Sequence, residues 1–174
     1  TNVHCTQIIS PKTIDISIEV GYHFQKALPS KMWQGDHTIM KKVVKFGGSS
    51  LASAKQFKKV GEIIRADKSR RFVVPSAPGK RNDRDEKVTD MLYACYDAAS
   101  EGRSYKKILE KIRGRYDEII EGLGLNLNLD HEFAGMEENF LAKAGKDYAA
   151  SRGEYLNGIV MAHYLRSEEH TSEL

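Results

Sequence analysis

The feature that most constrains the fold is a short apolar run that ends in two adjacent glycines and leads into an amphipathic stretch. The run KKVVKF, residues 41–46, is followed by Gly47 and Gly48, and a second apolar run, RFVVPS, occupies residues 71–76. Between them, apolar residues recur at helical spacing: Phe57, Val60, Ile63 and Ile64. A strand, a helix and a second strand in this order predict a right-handed parallel unit. We therefore expect an α/β fold.

After the second strand, apolar residues recur mainly at helical spacing. A polar loop rich in Gly, Lys and Asp spans residues 77–87, and four further helical patterns begin near Val88, Tyr105, Phe133 and Leu156. Ser53 and Gln56 have the spacing of a capping box at the start of the first helix. With only two clear strands, the parallel sheet is expected to be incomplete and to expose one apolar face.

The two ends of the chain do not share the periodicity of residues 40–165. Residues 1–39 show no sustained period of 2 or 3.6, and residues 34–36 can be encoded by a purine-rich ribosome-binding sequence before Met40. We interpret residues 1–39 as translated upstream sequence and Met40 as the native start; the alternative is a genuine amino-terminal extension. Residues 166–174, RSEEHTSEL, back-translate to a common sequencing-library adapter, and we interpret them as an artefact.

Composition argues against several classes of protein. No window approaches the roughly 18 consecutive apolar residues of a membrane helix, so we expect a cytoplasmic protein with no membrane partner. Cys5 and Cys95 have no metal-type or C-x-x-C spacing, which predicts free thiols. The six histidines are scattered without the spacing of a metal site, so we expect no metal bound by the protein alone.

The glycine pair leaves two interpretations open. It fits neither the P-loop pattern nor the G-x-G-x-x-G pattern of dinucleotide-binding folds. It nevertheless lies where the carboxyl end of a strand meets a helix, and there free backbone N–H groups attract anions. Lys45, at the end of the strand, could add a positive charge for phosphate. The residues by themselves thus predict either a phosphate site or a tight strand-to-helix turn.

Four motifs in a fixed order resemble those of the aspartate kinases of the amino-acid kinase family. They are VVKFGGSS at 43–50, VVPSAPGK at 73–80, KVTDML at 87–92 and SRGEYLNG at 151–158. The first is shared in looser form by acetylglutamate, glutamate and uridylate kinases, whereas the third and fourth are typical of aspartate kinase. The resemblance covers residues 40–165 and implies the amino-terminal part of a catalytic domain with the parallel-sheet amino-acid kinase fold.

The resemblance also implies roles for individual residues. The implied ATP- and phosphate-binding residues are Lys45, Phe46, Gly47, Gly48 and Ser49. The implied substrate-binding residues are Ser76, Thr89 and Glu154. In this assignment Lys45 is catalytic, because it neutralises charge on the transferred phosphoryl group, and Glu154 pairs with the substrate ammonium. Each substrate residue also has a structural alternative: Thr89 as a helix cap, Ser76 as a strand-end partner, and Glu154 as a solvated charge.

The implied reaction is phosphorylation of the side-chain carboxylate of L-aspartate by ATP, with Mg²⁺ as cofactor. It gives aspartyl 4-phosphate at the entry to lysine, threonine and methionine synthesis. The reference pKa of an aspartate carboxyl is about 3.9, so the acceptor is already ionised at neutral pH and needs no general base. The full-length enzyme is expected to be a homo-oligomer, whereas this chain lacks the family's later substrate residues and regulatory domains and is expected to be inactive alone.

Three alternatives remain at this stage. The chain could belong to another member of the same family, such as an acetylglutamate kinase, or it could be a non-catalytic remnant. It could also be a basic nucleic-acid-binding module, since KQFKK, KSRR and GKRNDR are basic runs and the chain has a formal net charge of +3. Acidic residues are interspersed and no stacking aromatics flank these runs, so we expect no nucleic-acid partner.

Overall fold

The computed structural model describes the backbone of residues 16–19 and 41–171, and the side chains of residues 41–168. Three strands lie in this part of the chain: β1 (Ile16–Glu19), β2 (Lys42–Phe46) and β3 (Arg70–Pro75). It also contains a 3-10 turn, Gly48–Leu51, and five α-helices: α1 (Ala54–Arg65), α2 (Val88–Ser100), α3 (Lys106–Gly122), α4 (Asp130–Leu141) and α5 (Lys146–Thr171). The prediction of an α/β chain that is rich in helix after its second strand is confirmed.

The sheet has the strand order β1-β2-β3. The two strands expected from the sequence, β2 and β3, pair in parallel, and Lys45 lies opposite Val74. The third strand, β1, pairs antiparallel with β2 on its other side. It falls within residues 1–39, and the rest of that segment, with the predicted start at Met40, lies outside the described residues. The assignment of residues 1–39 as upstream sequence stays a prediction.

The two faces of the sheet have different surroundings. Val44 and Phe46 point into the core and are fully buried, as expected for alternate residues on one face of a strand. On the opposite face Phe72 is 53% exposed and Val74 is 45% exposed. Lys45, the partner of Val74, shares this face and is exposed. The prediction of an exposed apolar face is therefore confirmed for the described residues.

The core lies between the sheet and the helices. Helix α2 occupies its centre and packs against α3, α4 and α5, while α1 packs against α3 and α5. Large side chains that are fully buried there include Phe57, Leu92, Ile112, Tyr116, Phe133 and Leu156. This arrangement brings the amino end of α2 and the middle of α5 to the same end of the sheet, beside the loops that follow β2 and β3.

The start of α1 differs from the capping box that the sequence predicted. Ser53 is the N-cap residue, with φ −158°, but its side chain makes no capping hydrogen bond. The backbone N–H of Phe57 instead donates to the carbonyl oxygen of Ser53 at 3.0 Å. The amide oxygen of Gln56 is buried without a hydrogen-bond partner in the described part of the chain. It therefore cannot complete the reciprocal bond of a capping box.

The last helix continues into the segment interpreted as an artefact. Helix α5 runs to Thr171, and Glu168 makes an ion pair of 3.3 Å with Arg65 of α1. A helix can continue through residues of any origin, so the interpretation of residues 166–174 stays a prediction.

Two further sequence predictions concern the membrane and the cysteines. Across the described residues, every helix is too short or too polar to cross a membrane. Cys95 is a free thiol, as predicted, and Cys5 lies outside the described residues. Burial raises the pKa of Cys95 to about 12, so this thiol stays protonated at neutral pH.

Candidate functional site

A pocket of about 490 Å³ lies at the carboxyl ends of β2 and β3. This is the edge of an open α/β sheet at which ligands bind. Its lining comes from the glycine turn after β2, the loop after β3, the first turn of α2 and helix α5: Gly48, Ser49, Ser76, Ala77, Pro78, Gly79, Lys80, Lys87, Thr89 and Glu154. Segments that are distant in sequence thus meet around one cavity.

The turn after β2 and the loop after β3 touch through two glycines. The N–H of Gly79 donates to the carbonyl oxygen of Gly48 at 2.8 Å. A Cβ atom on Gly79 would lie 2.6 Å from the carbonyl carbon of Gly48, and a Cβ atom on Gly48 would lie 2.8 Å from the carbonyl oxygen of Ala77. Both distances are shorter than van der Waals contact, so no larger residue fits at either position without a backbone shift.

This contact answers part of the question that the glycine pair raised. Gly47 has φ −71°, and neither Gly47 nor Gly48 is among the described glycines with positive φ. A tight turn of positive φ is therefore not the reason for either glycine. Gly48 is required by the close approach of Gly79, which keeps the backbone of the turn at the wall of the pocket.

Helix α5 is fixed to the end of β3 by a buried asparagine. The N–H of Ser76 donates to the carbonyl oxygen of Phe46 at 3.0 Å, which extends the pairing of the two strands. The carbonyl oxygen of Ser76 accepts a bond of 2.6 Å from the side-chain amide of Asn157, a fully buried residue of α5. The end of β3 is thus tied to α5 at the wall of the pocket.

A second set of contacts fixes the position of Glu154 in the wall of the pocket. Gly153 lies against Ala77 so closely that a Cβ atom on it would be 2.6 Å from the Ala77 Cβ atom. The hydroxyl of Tyr116 donates to the carbonyl oxygen of Gly153 at 2.8 Å, and burial raises the pKa of this tyrosine. The next residue along α5 is Glu154, which these contacts place in the pocket lining.

Helix α3 contacts the loop over residues 77–87 on the side that faces away from this pocket. Arg115 of α3 is only 4% exposed, and its guanidinium donates to the carbonyl oxygen of Gly79 at 2.6 Å and to the carboxylate of Asp85 at 2.5 Å. The Nε of Arg81 donates to the same carboxylate at 2.9 Å. The hydrogen bond from Arg81, with the nearby charge of Arg115, holds the pKa of Asp85 well below its usual range.

Five of the eight residues predicted from the sequence lie together in this pocket: Gly48, Ser49, Ser76, Thr89 and Glu154. The other three do not line it. Phe46 is fully buried in the core, Gly47 caps the 3-10 turn, and Lys45 lies on the exposed face of the sheet. Phe46 lies in the core and Lys45 on the exposed face because successive side chains of a strand point to opposite faces of the sheet.

Sequence reasoning gave no individual role to four polar residues of this site. Lys80 and Lys87 line the pocket, while Arg115 and Asn157 support it from α3 and α5. The first two lie inside quoted motifs, so their positive charge in a glycine-containing loop was an available signal. Asn157 also lies inside a quoted motif, SRGEYLNG, but for Asn157 and Arg115 no periodicity separates a buried polar side chain on a helix from a solvated one.

Magnesium would have few protein ligands here. No group of three or more His, Cys, Asp or Glu side chains in the described residues is arranged to hold a metal ion. Glu154 is the one carboxylate in the pocket lining. A lining with one carboxylate offers no dedicated cage, so it fits Mg²⁺ as an ion that enters on the phosphates of a nucleotide and keeps several of its waters.

Comparison with known proteins connects this geometry to one family. A sequence model of the amino acid kinase family matches residues 40–173. Aspartokinase 3 of Bacillus subtilis is 38% identical over 136 residues, which are 72% of this chain and 29% of that protein. The aspartokinase of Chlamydia pneumoniae is 37% identical over 87 residues, which are 50% of this chain and 18% of that protein.

Two solved structures are similar in fold. Aspartate kinase of Clostridium acetobutylicum is 45% identical, with a TM-score of 0.67 over 70% of this chain and 28% of that one. Aspartokinase III of E. coli in complex with aspartate and ADP is 25% identical, with a TM-score of 0.56 over 72% of this chain and 28% of that one. The chain thus spans less than a third of the length of these relatives. The matches favour neither an acetylglutamate kinase nor a nucleic-acid-binding module.

Proposed function

The chain belongs to the amino acid kinase family, and we propose that it supplies part of the active site of an aspartate kinase. In the proposed reaction the γ-phosphoryl group of ATP is transferred to the side-chain carboxylate of L-aspartate. The product is the acyl phosphate, aspartyl 4-phosphate. The observation that carries the proposal is the pocket itself, which brings Gly48 and Ser49 together with Ser76, Thr89 and Glu154.

The nucleotide side of the proposed site is the turn after β2. The backbone of Gly48 and Ser49 lines the pocket, and N–H groups at such a turn can donate to phosphate oxygens. We assign charge neutralisation to Lys45, whose flexible stem can carry its ammonium group beyond the strand end. Phe46 and Gly47 would contribute by holding the turn in place, since Phe46 is buried in the core.

The aspartate side of the proposed site is formed by the end of β3, the start of α2 and helix α5. In this assignment the carboxylate of Glu154 pairs with the ammonium group of the substrate. The hydroxyls of Ser76 and Thr89 would donate to its carboxylates. If Ser76, Thr89 and Glu154 were only a strand-end partner, a helix cap and a solvated charge, nothing would require them to lie together. All three line one pocket.

These residues suit phosphoryl transfer without a general base. The acceptor carboxylate is ionised above a pKa of about 3.9, so the chain has to align it and to neutralise charge. The glycine turn would align the phosphates, and Glu154 would align the amino acid. Mg²⁺, when bound to ATP, would supply further neutralisation of the phosphate oxygens. A cytoplasmic location and assembly as a homo-oligomer belong to the same proposal, by resemblance to aspartate kinases.

A chimera tests the proposal. Residues 40–165 would replace the matching segment of Bacillus subtilis aspartokinase 3, and hydroxylamine would trap the acyl phosphate as a hydroxamate. We expect hydroxamate to form with ATP and L-aspartate, and not with ATP and N-acetylglutamate. A folded chimera that is inactive with aspartate, or that prefers N-acetylglutamate, would contradict the assignment. Circular dichroism and size-exclusion chromatography would establish that the chimera is folded.

A further inference from the structure

The loop over residues 77–87 divides six of its seven charged side chains between two cavities. Four of them line a cavity of about 560 Å³ on the α3 side of the loop: Arg81, Arg84, Asp85 and Glu86. Two others, Lys80 and Lys87, line the candidate site on the opposite side. The loop is therefore charged on both sides, but its lysines face only the candidate site.

The charges on the α3 side are largely paired. Arg81 donates to Asp85 at 2.9 Å and also contacts Glu118, while Glu86 lies 3.7 Å from Lys111. By contrast, neither Lys80 nor Lys87 makes a hydrogen bond or an ion pair with any side chain in residues 41–168. Two cations that line a pocket without protein partners leave it with a positive potential, which only Glu154 among the lining residues offsets.

The backbone on each side of these lysines is fixed. Gly79, the residue before Lys80, bonds to Gly48 through its N–H and to Arg115 through its carbonyl oxygen. Val88, the residue after Lys87, donates its N–H to the carbonyl oxygen of Pro78 at 3.2 Å. The attachment points of both lysines are thus set by the fold, whereas their ammonium groups have no protein acceptor in the described part of the chain.

We propose that Lys80 and Lys87 bind the phosphate chain of the nucleotide, as charged contacts in addition to the backbone of the glycine turn. This inference deepens the proposed function and rests on it. The phosphates are favoured over the amino acid because the contact between Gly79 and Gly48 places Lys80 next to the glycine turn. A triphosphate also carries several negative charges, which suits two unpaired lysines, and lysine is a common point charge for phosphate.

The test uses the 174-residue chain and sodium tripolyphosphate as the probe, with binding measured by titration calorimetry at low ionic strength. Lys80→Met and Lys87→Met should each weaken binding about 3- to 10-fold, and the double variant by roughly the product, as expected for exposed charged contacts to a multiply charged anion. Salt at about 0.3 M should reduce these differences, because it screens exposed charges. Lys68→Met is the matched control, since Lys68 is exposed and lies in the turn before β3, at the opposite end of the sheet.

Binding by the double variant at wild-type strength would overturn the inference, as would an equal loss in Lys68→Met or no binding by the unaltered chain. Failure of the proposed function is a separate outcome. If lysine-dependent tripolyphosphate binding were found but the chimera formed no acyl phosphate from aspartate, the anion site would stand and the kinase proposal would fall. If the chimera were active and Lys80→Met/Lys87→Met left its KM for ATP unchanged, only the lysine assignment would fall.

Discussion

The guanidinium of Arg115 donates a hydrogen bond of 2.6 Å to the carbonyl oxygen of Gly79. Because the N–H of Gly79 donates to Gly48, both backbone polar groups of this glycine are used, one towards α3 and one towards the pocket. Arg115 also pairs with Asp85, so a single buried side chain holds two points of the loop. The shape of the candidate site therefore depends on a helix residue that does not line the candidate pocket.

Replacing Arg115 with Met should destabilise the chain. The change removes the donor to Gly79 and leaves Asp85, whose side chain is 13% exposed, with Arg81 as its remaining cationic partner. Loss of one partner of a buried ion pair costs several kcal/mol, and because Arg81 remains we expect a decrease of about 2 to 3 kcal/mol in the free energy of unfolding. Urea denaturation, monitored by circular dichroism, measures this decrease.

Arg103→Met is the control for this variant. Arg103 pairs with Glu101, but both side chains are more than half exposed, so the loss should be about 0 to 1 kcal/mol. Equal effects of the two substitutions would show that the buried contacts of Arg115 add nothing to stability.

Gly79→Ala should disturb the pocket, although the substitution adds only one methyl group. The added Cβ atom would lie 2.6 Å from the carbonyl carbon of Gly48, so the turn and the loop must separate. We expect a lower unfolding midpoint and weaker tripolyphosphate binding. Gly135→Ala in α4 is the control, because its Cβ atom would meet nothing within 4 Å and alanine favours a helix by about 0.5 to 1 kcal/mol. An increase in stability with Gly79→Ala would refute the close-contact argument.

The Asp85 carboxylate should make stability depend on pH in the acid range. Its pKa is lowered in the folded chain, first by the hydrogen bond from Arg81. A group whose pKa falls on folding stabilises the protein above its unfolded pKa of about 3.9, and this contribution is lost as pH falls towards the folded value. The difference in unfolding free energy between the unaltered chain and Asp85→Asn should therefore be largest near neutral pH and shrink below about pH 4.

The comparison needs denaturation curves at several pH values between about 7 and 2. Asp117→Asn is a suitable control, since Asp117 is exposed and its carboxylate makes no hydrogen bond or ion pair with other residues in the 41–168 range. A difference for Asp85→Asn that stayed constant down to pH 2 would mean that its ionised form is not the stabilising species.

Lys45→Met tests the catalytic assignment in the chimera. If Lys45 neutralises the transferring phosphoryl group, its charge matters more in the transition state than in the ground state. Turnover should then fall on the order of 10² to 10³-fold, as for loss of one donor to a developing charge. Stability should change little because Lys45 lies on the exposed face of β2. Near-normal turnover in Lys45→Met would mean that Lys45 has no catalytic role and is only an exposed residue of the sheet.

Glu154→Gln in the same chimera provides the contrast. It removes the proposed partner of the substrate ammonium and leaves the phosphate contacts intact, so the KM for aspartate should rise while the KM for ATP stays close to its normal value. Glu121→Gln, an exposed change in α3 outside both cavities, should alter neither. An unchanged KM for aspartate in Glu154→Gln would contradict the assignment.

Over residues 41–165 the sequence by itself predicted the order of the elements and the end of the sheet at which the candidate site lies, but it did not predict β1. Strand and helix periods are local properties, and the runs before Gly47 and Ser76 therefore predicted β2 and β3 correctly. The location followed from the same runs, because ligands bind at the carboxyl ends of parallel strands. The predicted residues Ser76 and Thr89 lie together because they follow the end of β3 and stand at the start of α2, whereas Glu154, inside α5, reaches the same pocket only through the packing of that helix.

The tertiary structure alone decided how that site is held and charged. Arg115 and Gly79 are 36 residues apart, and Asn157 and Ser76 are 81 residues apart. Contacts over such separations depend on how α3 and α5 pack against the sheet, and no local period records that packing. The same holds for the lysines of the loop, which line the pocket while Asp85 of the same loop pairs with Arg115 of α3. Local sequence fixes conformation over a few residues, whereas a pocket is made by surfaces that meet only after the chain has folded.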